Sequence, residues 1–120
     1  MPPESKKFLW DMRHAARQIS DFVRGQTKKD YDADLMLRSA VERQFEIPGE
    51  ALPQLRNLDE PTAARITDSK RVGFRNQLIH GSAVMDNAIT WRTIHEHLPI
   101  LLGELDILLP EPETPLEPLP

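Results

Sequence analysis

Apolar residues recur at steps of three and four along most of this chain, which is the spacing of helices that bury one face. The first such run extends from Ser5 to Gly25. Gly25 is placed to end that helix, because glycine readily adopts the left-handed conformation that follows many helix C-termini. The buried face of this first helix is predicted to comprise Leu9, Met12, Ala16, Ile19 and Val23.

A second helix is predicted to begin near Asp30 to Asp34, where acidic side chains suit the helix dipole, and to end between Pro53 and Asn57. The pair Pro48-Gly49 should interrupt or kink it, because proline lacks an N–H group and clashes one turn back. Its apolar positions are Leu37, Ala40, Val41, Phe45, Ala51 and Leu52.

The second half of the chain predicts a connector at residues 59–61, a short turn over residues 62–66 and two further helices. The first of these helices should run over residues 68–80, with Asp68 or Ser69 as its N-cap.

The last helix should start at Asp86 or Asn87 and bend at Pro99. Its apolar residues are dense enough to be covered on more than one side, which points to contact with another subunit.

The composition predicts one domain, because 120 residues with 39% hydrophobic content can bury a single core. We place that domain at residues 1–109. The absence of cysteine removes disulfides and thiolate metal sites and fits a reducing compartment. No apolar run resembles a signal peptide or reaches the length of a membrane span, so a cytoplasmic protein is expected.

The acidic tail, residues 110–120, carries much of the net charge of −4. Three of the 19 acidic residues lie there with no basic residue, which leaves 16 acidic and 15 basic residues in the rest of the chain. With five prolines, the tail is expected to be extended or disordered. The remainder is nearly neutral, so any attraction for phosphate depends on local patches.

One such patch lies on the first helix and is called here the basic stripe. Its cations fall within about 20° of one line on a helix of 3.6 residues per turn, with an aromatic ring beside them. The stripe is either a solvated face or a contact for the RNA backbone, with a base stacked on the aromatic ring. It comprises Lys6, Trp10, Arg13, Arg17 and Arg24.

The stretch from Phe74 to Ser82 places an arginine, an amide and a histidine near the end of the third helix. Asn76 and His80 form an i,i+4 pair, so the amide can orient the imidazole. Gly81 favours a helix end there, and helix-end carbonyls stabilise an imidazolium in the last turn. Since histidine titrates near neutrality, it can exchange a proton during a reaction. These groups suit phosphodiester chemistry.

Arg75 is predicted to lie on the apolar side of the same helix. A guanidinium removed from water needs a partner, which could be a carboxylate of a neighbouring helix, a group of backbone carbonyls or a ligand phosphate. Arg75 is therefore either a structural residue or a phosphate ligand. His80 could cap the helix, transfer a proton, or do both.

With these segments in this order, residues 5–109 resemble a HepT-like protein of the HEPN superfamily, a group of small all-α ribonucleases often encoded as toxins. Arg75-Asn76 followed by His80 fits the family's R-x4-H core. The run from Ala40 to Ala51 resembles the family's second helix, and the run from Trp91 to Pro99 resembles its last.

The resemblance implies an antiparallel helical bundle of four to five helices that forms a homodimer, in which two motifs face a cleft and cleave RNA without metal. Arg75 and His80 would be catalytic, and Asn76 matches the polar residue that commonly follows the arginine. The usual motif continues to a tyrosine that an MNT-type nucleotidyltransferase modifies with AMP. Ser82 occupies that place here, and the single tyrosine of the chain, Tyr31, lies far away in sequence.

The leading interpretation is thus a metal-independent endoribonuclease, the toxin of a pair whose antitoxin is an MNT-type nucleotidyltransferase. The alternative is a catalytically silent HEPN-type subunit that binds nucleotide, RNA or that partner. No cofactor is expected. His95 and His97 lie about 200° apart on a helix, so they could share a metal ion only if the helix breaks.

Overall fold

The structure is a computed structural model that describes residues 1–67 and 87–110. These residues form helices and no strand, which confirms the prediction of an all-α protein. The predicted helix over 68–80 and residues 111–120 of the tail lie outside the described residues. The described helices are α1 (Pro3–Val23), α2 (Lys28–Ala33), α3 (Leu35–Leu58), α4 (Glu60–Ala63), α5 (Asn87–Glu96) and α6 (Leu98–Leu108).

Helix α1 follows its predicted pattern. All five apolar positions assigned to its inner face are buried. Its C-cap is Arg24, and the next residue, Gly25, has a φ of +75°, the left-handed conformation expected of a glycine after a helix. The prediction that Gly25 ends this helix is confirmed.

Helix α1 packs on both α3 and α6, and the contacts of its side chains with the ends of those helices show that it runs antiparallel to each. Ser5 Oγ donates to Asp59 Oδ2 at 3.0 Å, which joins the start of α1 to the end of α3. The apolar faces meet in one core, which confirms the antiparallel bundle. Its largest fully buried side chains include Leu9, Met12, Ile19, Tyr31, Phe45, Leu55, Leu98, Leu101 and Leu105.

The predicted second helix corresponds to α3, whose N-cap Asp34 lies in the predicted start range, and a separate short helix, α2, precedes it. Thr27 starts α2 with a capping box, in which Thr27 Oγ1 accepts from Asp30 N at 3.1 Å and Thr27 N donates to Asp30 Oδ2 at 2.9 Å. The backbone and hydroxyl of Thr27 hold the pKa of Asp30 below its usual value. Asp34 then caps α3 by accepting from Leu37 N at 3.0 Å.

Helix α3 continues through both of its prolines for 24 residues. The pair Pro48-Gly49 therefore does not interrupt the helix, and the kink expected there stays a prediction. Pro48 is buried in the packed face of α3, where apolar contact offsets the hydrogen bond that its imino nitrogen cannot make. The helix ends at Leu58, one residue beyond the predicted range.

The predicted connector at residues 59–61 belongs to a short helix, α4, and its cap. Asp59 accepts from Thr62 N at 3.3 Å and from Thr62 Oγ1 at 2.7 Å, so it caps α4 while it contacts α1 through Ser5. The hydrogen bond from Thr62, with help from Ser5, lowers the pKa of Asp59 despite some desolvation.

The predicted last helix is broken in two at His97, the N-cap residue of α6. Pro99 lies in the first turn of α6, a position that needs no helix N–H, so the proline starts a helix instead of bending one. Residues of α6 that face the core are buried, whereas Ile100 and Ile107 are 50% and 71% exposed. Helix α6 thus presents apolar side chains outside the core of one chain.

Candidate functional site

The predicted catalytic motif lies in the segment between the two described ranges. Arg75, Asn76, His80 and the possible modification site Ser82 all fall outside the described residues, so their roles stay predictions. The structure does describe the residues that flank this segment, and it describes the whole basic stripe.

The chain enters the motif segment from a point held against α6. Thr67 N and Thr67 Oγ1 both donate to Glu104 Oε2, at 2.9 and 2.5 Å. The preceding Ile66 is buried in the core. Glu104 therefore fixes the chain just before the motif segment. Sequence reasoning missed this contact, because nothing local links residues 37 positions apart.

The middle of the basic stripe is covered by α6. Arg13 is only 2% exposed, and its Nη1 donates to Leu109 O at 2.9 Å and to Asp106 Oδ1 at 3.5 Å. Arg17 Nη2 donates to the same Asp106 oxygen at 3.1 Å. A solvated position for Arg13, one of the two alternatives given for the stripe, is therefore wrong, because its buried guanidinium joins α1 to the end of α6.

The N-terminal end of the stripe is open and aromatic. Lys6 is exposed, and Trp10 is partly buried against the core. The ring of Trp10 stacks on the imidazole of His14, with centroids 4.9 Å apart and planes 5° from parallel. His14, one turn after Trp10, therefore covers one face of the indole. A base that stacks here would therefore use the opposite face of the indole or its edge.

The C-terminal end of the stripe is also open. Arg24 has a side chain 77% exposed and donates through Nη2 to Asp21 Oδ1 at 2.8 Å, a pair between neighbours on one helix. Exposed ion pairs of this kind contribute little to stability and exchange partners readily. Arg24 can therefore turn to a phosphate at small cost.

Lys6, Arg17 and Arg24 together present cations along one line of α1. At a rise of about 1.5 Å per residue, the line from Lys6 to Arg24 is about 27 Å long. Such a line can contact several phosphates of one strand, and an aromatic ring near one end can contact a base. RNA binding by the stripe stays a prediction, now centred on its two ends.

Other candidate sites have less to offer. Within residues 1–67 and 87–110, no group of three or more histidine, cysteine or acidic side chains could hold a metal ion. The helix does break at His97, the condition under which His95 and His97 could share a metal ion. However, His95 Nδ1 lies 2.8 Å from the carbonyl oxygen of Trp91, so this nitrogen already contacts its own helix. In the part of the chain that the structure describes, no helix is both long enough and apolar enough to cross a membrane.

An open groove of about 400 Å³ lies where the start of α1 meets the end of α3. Phe8 on its α1 side points about 200° away from Lys6. The groove therefore lies on a different face of α1 from the basic stripe. It is lined by Glu4, Phe8, Gln54, Asn57 and Leu58.

Comparison with known proteins identifies a family for this chain. The family model described as Ribonuclease HepT-like matches residues 12–107, a range that includes the whole predicted motif. A Methanocaldococcus jannaschii protein named as an RNase is 29% identical over 103 residues, covering 86% of this chain and 94% of that protein. A Thermococcus cleftensis protein named as a ribonuclease HepT is 30% identical over 108 residues, covering 90% and 98%. No solved structure matches this chain.

Proposed function

Because the chain belongs to the HepT-like ribonuclease family, we propose that it is a metal-independent endoribonuclease that acts as a homodimer. The observation that carries this proposal is the family match across residues 12–107, together with an intact R-x4-H motif at Arg75 and His80 inside that range.

The proposed reaction is an internal transesterification of RNA. The ribose 2′-oxygen attacks the adjacent phosphorus, a bond forms between them, and the bond from phosphorus to the 5′-oxygen breaks. His80 accepts the 2′-hydroxyl proton, and a second imidazole donates a proton to the departing 5′-oxygen. The products are a 2′,3′-cyclic phosphate and a free 5′-hydroxyl.

The remaining motif residues support this transfer. Arg75 would hold the phosphorane with two parallel hydrogen bonds, which suit the fork of a guanidinium. Asn76, one turn before His80, would orient the imidazole. One histidine cannot readily serve as base and acid in the same step, so a homodimer that brings a second His80 to the cleft completes the pair.

The basic stripe of α1 would hold the RNA strand. We assign phosphate contacts to Lys6, Arg17 and Arg24 and a base contact to Trp10. Arg13 acts beneath this surface, because its buried guanidinium fixes α6 against α1 and holds Asp106 beside Arg17.

Cleavage of a single-stranded RNA by purified protein tests the catalytic assignment. His80→Ala and Arg75→Ala should each lower the rate by about 10²- to 10⁴-fold, the usual size of general acid–base and oxyanion terms. Arg43→Ala, an exposed change on α3, serves as the matched control and should retain full activity. Cyclic phosphate ends should appear with wild type, and undiminished cleavage by His80→Ala protein would refute the mechanism.

We further propose that the enzyme is the toxin of a cytoplasmic pair whose antitoxin is an MNT-type nucleotidyltransferase. The Ser82 hydroxyl, which occupies the place of the family's modified tyrosine, would attack the α-phosphorus of ATP and release pyrophosphate. Mass spectrometry of protein co-expressed with such a partner should find one AMP on the peptide containing Ser82. A Ser82→Ala variant that gains the same mass would assign the modification to another residue.

The serine at position 82 also favours one alternative function, a catalytically silent subunit that binds RNA or the nucleotidyltransferase. A silent subunit would shift labelled RNA in a gel and leave its length unchanged. An active nuclease would shorten the RNA, so the two functions separate in a single incubation.

A further inference from the structure

The groove between the start of α1 and the end of α3 offers a fixed aromatic ring to a ligand. Phe8 is partly buried and packs against the core, which holds its ring in place. Leu58 adds an apolar side chain, 42% exposed, on the α3 side. The groove measures about 400 Å³, a volume in the usual range of small-ligand sites. An aromatic surface of this kind suits a flat ring that can stack on it.

The polar side chains of the groove define the groups that such a ring must carry. Glu4 is exposed and its ionised carboxylate can only accept hydrogen bonds, whereas the amide of Asn57 both donates and accepts. In the described part of the chain, neither of these side chains forms a hydrogen bond or an ion pair. Gln54, the third polar residue, donates through Nε2 to Glu50 O at 3.3 Å on its own helix. A ligand in the groove therefore meets one carboxylate and one amide that are open to it.

Among the four RNA bases, guanine complements this pair of groups best. Its N1–H and its N2 amino group are two donors side by side, which match the two oxygens of one carboxylate. Its O6 lies next to them and can accept from the amide of Asn57. Adenine and cytosine place an acceptor nitrogen beside their amino donor, and uracil has one donor between two acceptors. A carboxylate repels the lone pairs of those acceptors, so Glu4 favours guanine.

A lysine lies beside the groove, between the groove and the basic stripe. Lys7 Nζ is 5.6 Å from the centroid of the Phe8 ring and 3.6 Å from Asp11 Oδ2. At about 100° per residue, Lys7 lies about 100° around α1 from the line of the stripe and about 100° from Phe8. Its side chain is 71% exposed, and exposed ion pairs exchange partners readily. Lys7 can therefore turn to the phosphate of a nucleotide whose base enters the groove.

From these observations we propose that the groove is a binding site for a guanine base of RNA. The base stacks on Phe8 while Lys7 contacts its phosphate. Its N1–H and N2 amino group donate to Glu4, and Asn57 donates to its O6. The choice of guanine depends only on the residues that line the groove. RNA as the source of the base rests on the proposed function, and the site then gives the nuclease a preference for strands that contain guanine.

Fluorescence anisotropy with short RNAs tests the base preference. The protein carries His80→Ala so that the RNA stays intact, and each RNA is an oligouridylate with one central guanosine, inosine or adenosine. The guanosine strand should bind at least about 5-fold more tightly than the adenosine strand, the lower end of discrimination by a bidentate base contact. Inosine lacks the N2 amino group, so its strand should have an intermediate affinity. Equal affinities for the guanosine and adenosine strands would overturn the proposal.

A change of the carboxylate assigns the preference to the groove. Glu4→Gln should reduce the guanosine preference to less than about 2-fold, because an amide offers one acceptor oxygen in place of two. Glu50→Gln makes the same change of charge at an exposed position of α3 outside the groove lining, and should keep the full preference. Both positions are exposed, so neither change should move the urea midpoint. A guanosine preference that survives in Glu4→Gln protein would refute the groove as the site of the base.

Equilibrium dialysis with GMP and AMP separates the groove from the proposed function. GMP should bind more tightly than AMP, and the difference should disappear in Glu4→Gln protein. Protein that prefers GMP but binds none of the RNA strands would support the groove as a guanine site and defeat RNA as the source of the base, together with the proposed function. Protein that binds all the strands equally and binds neither nucleotide would refute the guanine site and leave the proposed nuclease intact.

Discussion

Arg13 and Arg24 lie on the same line of α1, three helical turns apart, yet they have opposite surroundings. The side chain of Arg13 is 3% exposed and bonds to residues 93 and 96 positions later in the chain. The side chain of Arg24 is 77% exposed and bonds to Asp21, three positions earlier. One face of one helix thus holds a structural arginine and a surface arginine.

The difference arises from where α6 ends. The last carbonyl groups of a helix have no partner within that helix, and cationic side chains are good donors to them. Arg13 supplies such a donor to Leu109 from a different helix. Arg24 instead donates to Asp21 on its own helix and remains in solvent. Helical periodicity assigns a residue to a face of its helix, but whether that face is buried depends on whether another helix packs against it.

The largest effect that this comparison predicts is on stability. Arg13→Ala should lower the free energy of unfolding by about 2 kcal/mol, because it leaves the Leu109 carbonyl without its donor and removes buried packing. Arg24→Ala should change it by less than about 0.5 kcal/mol, as exposed substitutions usually do. Urea unfolding followed by circular dichroism measures both.

Arg13→Lys separates the effect of charge from that of hydrogen-bond geometry. It keeps the positive charge but lacks the guanidinium group, which can donate to Leu109 and Asp106 together. We expect its stability to fall between those of wild type and Arg13→Ala. Equal decreases in the free energy of unfolding for Arg13→Ala and Arg24→Ala would mean that the buried contacts of Arg13 with α6 contribute nothing to stability.

Much of the fold could be predicted from the sequence where its cause is local. The inner face of α1 and its end at Gly25 follow from periodicity and from one residue's backbone freedom. The continuation of α3 past Pro48 was predicted as well, but the burial that offsets the missing hydrogen bond is a tertiary property that no local pattern displays. The break at His97 had a local signal in Pro99, but that signal fits a bent helix and a new helix equally well.

The candidate site also combines features that a local pattern predicts with contacts that depend on tertiary packing. The spacing of Asn76 and His80 is a local pattern that a sequence displays directly. The pairing of Arg13 with Asp106 and of Thr67 with Glu104 depends on how distant helices pack, and no spacing rule encodes it. The stripe was correctly placed on one face of α1, whereas the element that covers its middle had no signal in the sequence.

A smaller effect is expected at the open end of the stripe, and it concerns RNA affinity. Lys6→Ala should weaken binding of single-stranded RNA by about 2- to 5-fold and lower the slope of log affinity against log salt by about 0.7, because one phosphate contact and its released counterion are lost. The measurement is fluorescence anisotropy across a salt series in a His80→Ala background.

Lys29→Ala removes the same charge from an exposed position of α2, which is not part of the stripe, and serves as the matched control. Because both lysines are exposed, neither change should move the urea midpoint, so a difference in affinity would reflect position alone. Equal loss of affinity in the two variants would mean that RNA responds to net charge and that the open end of α1 has no special role. A loss of RNA affinity confined to Lys6→Ala would extend the contrast between Arg13 and Arg24 to a third position. The cations of the stripe would then stabilise the fold where α6 covers them and bind RNA where α6 does not.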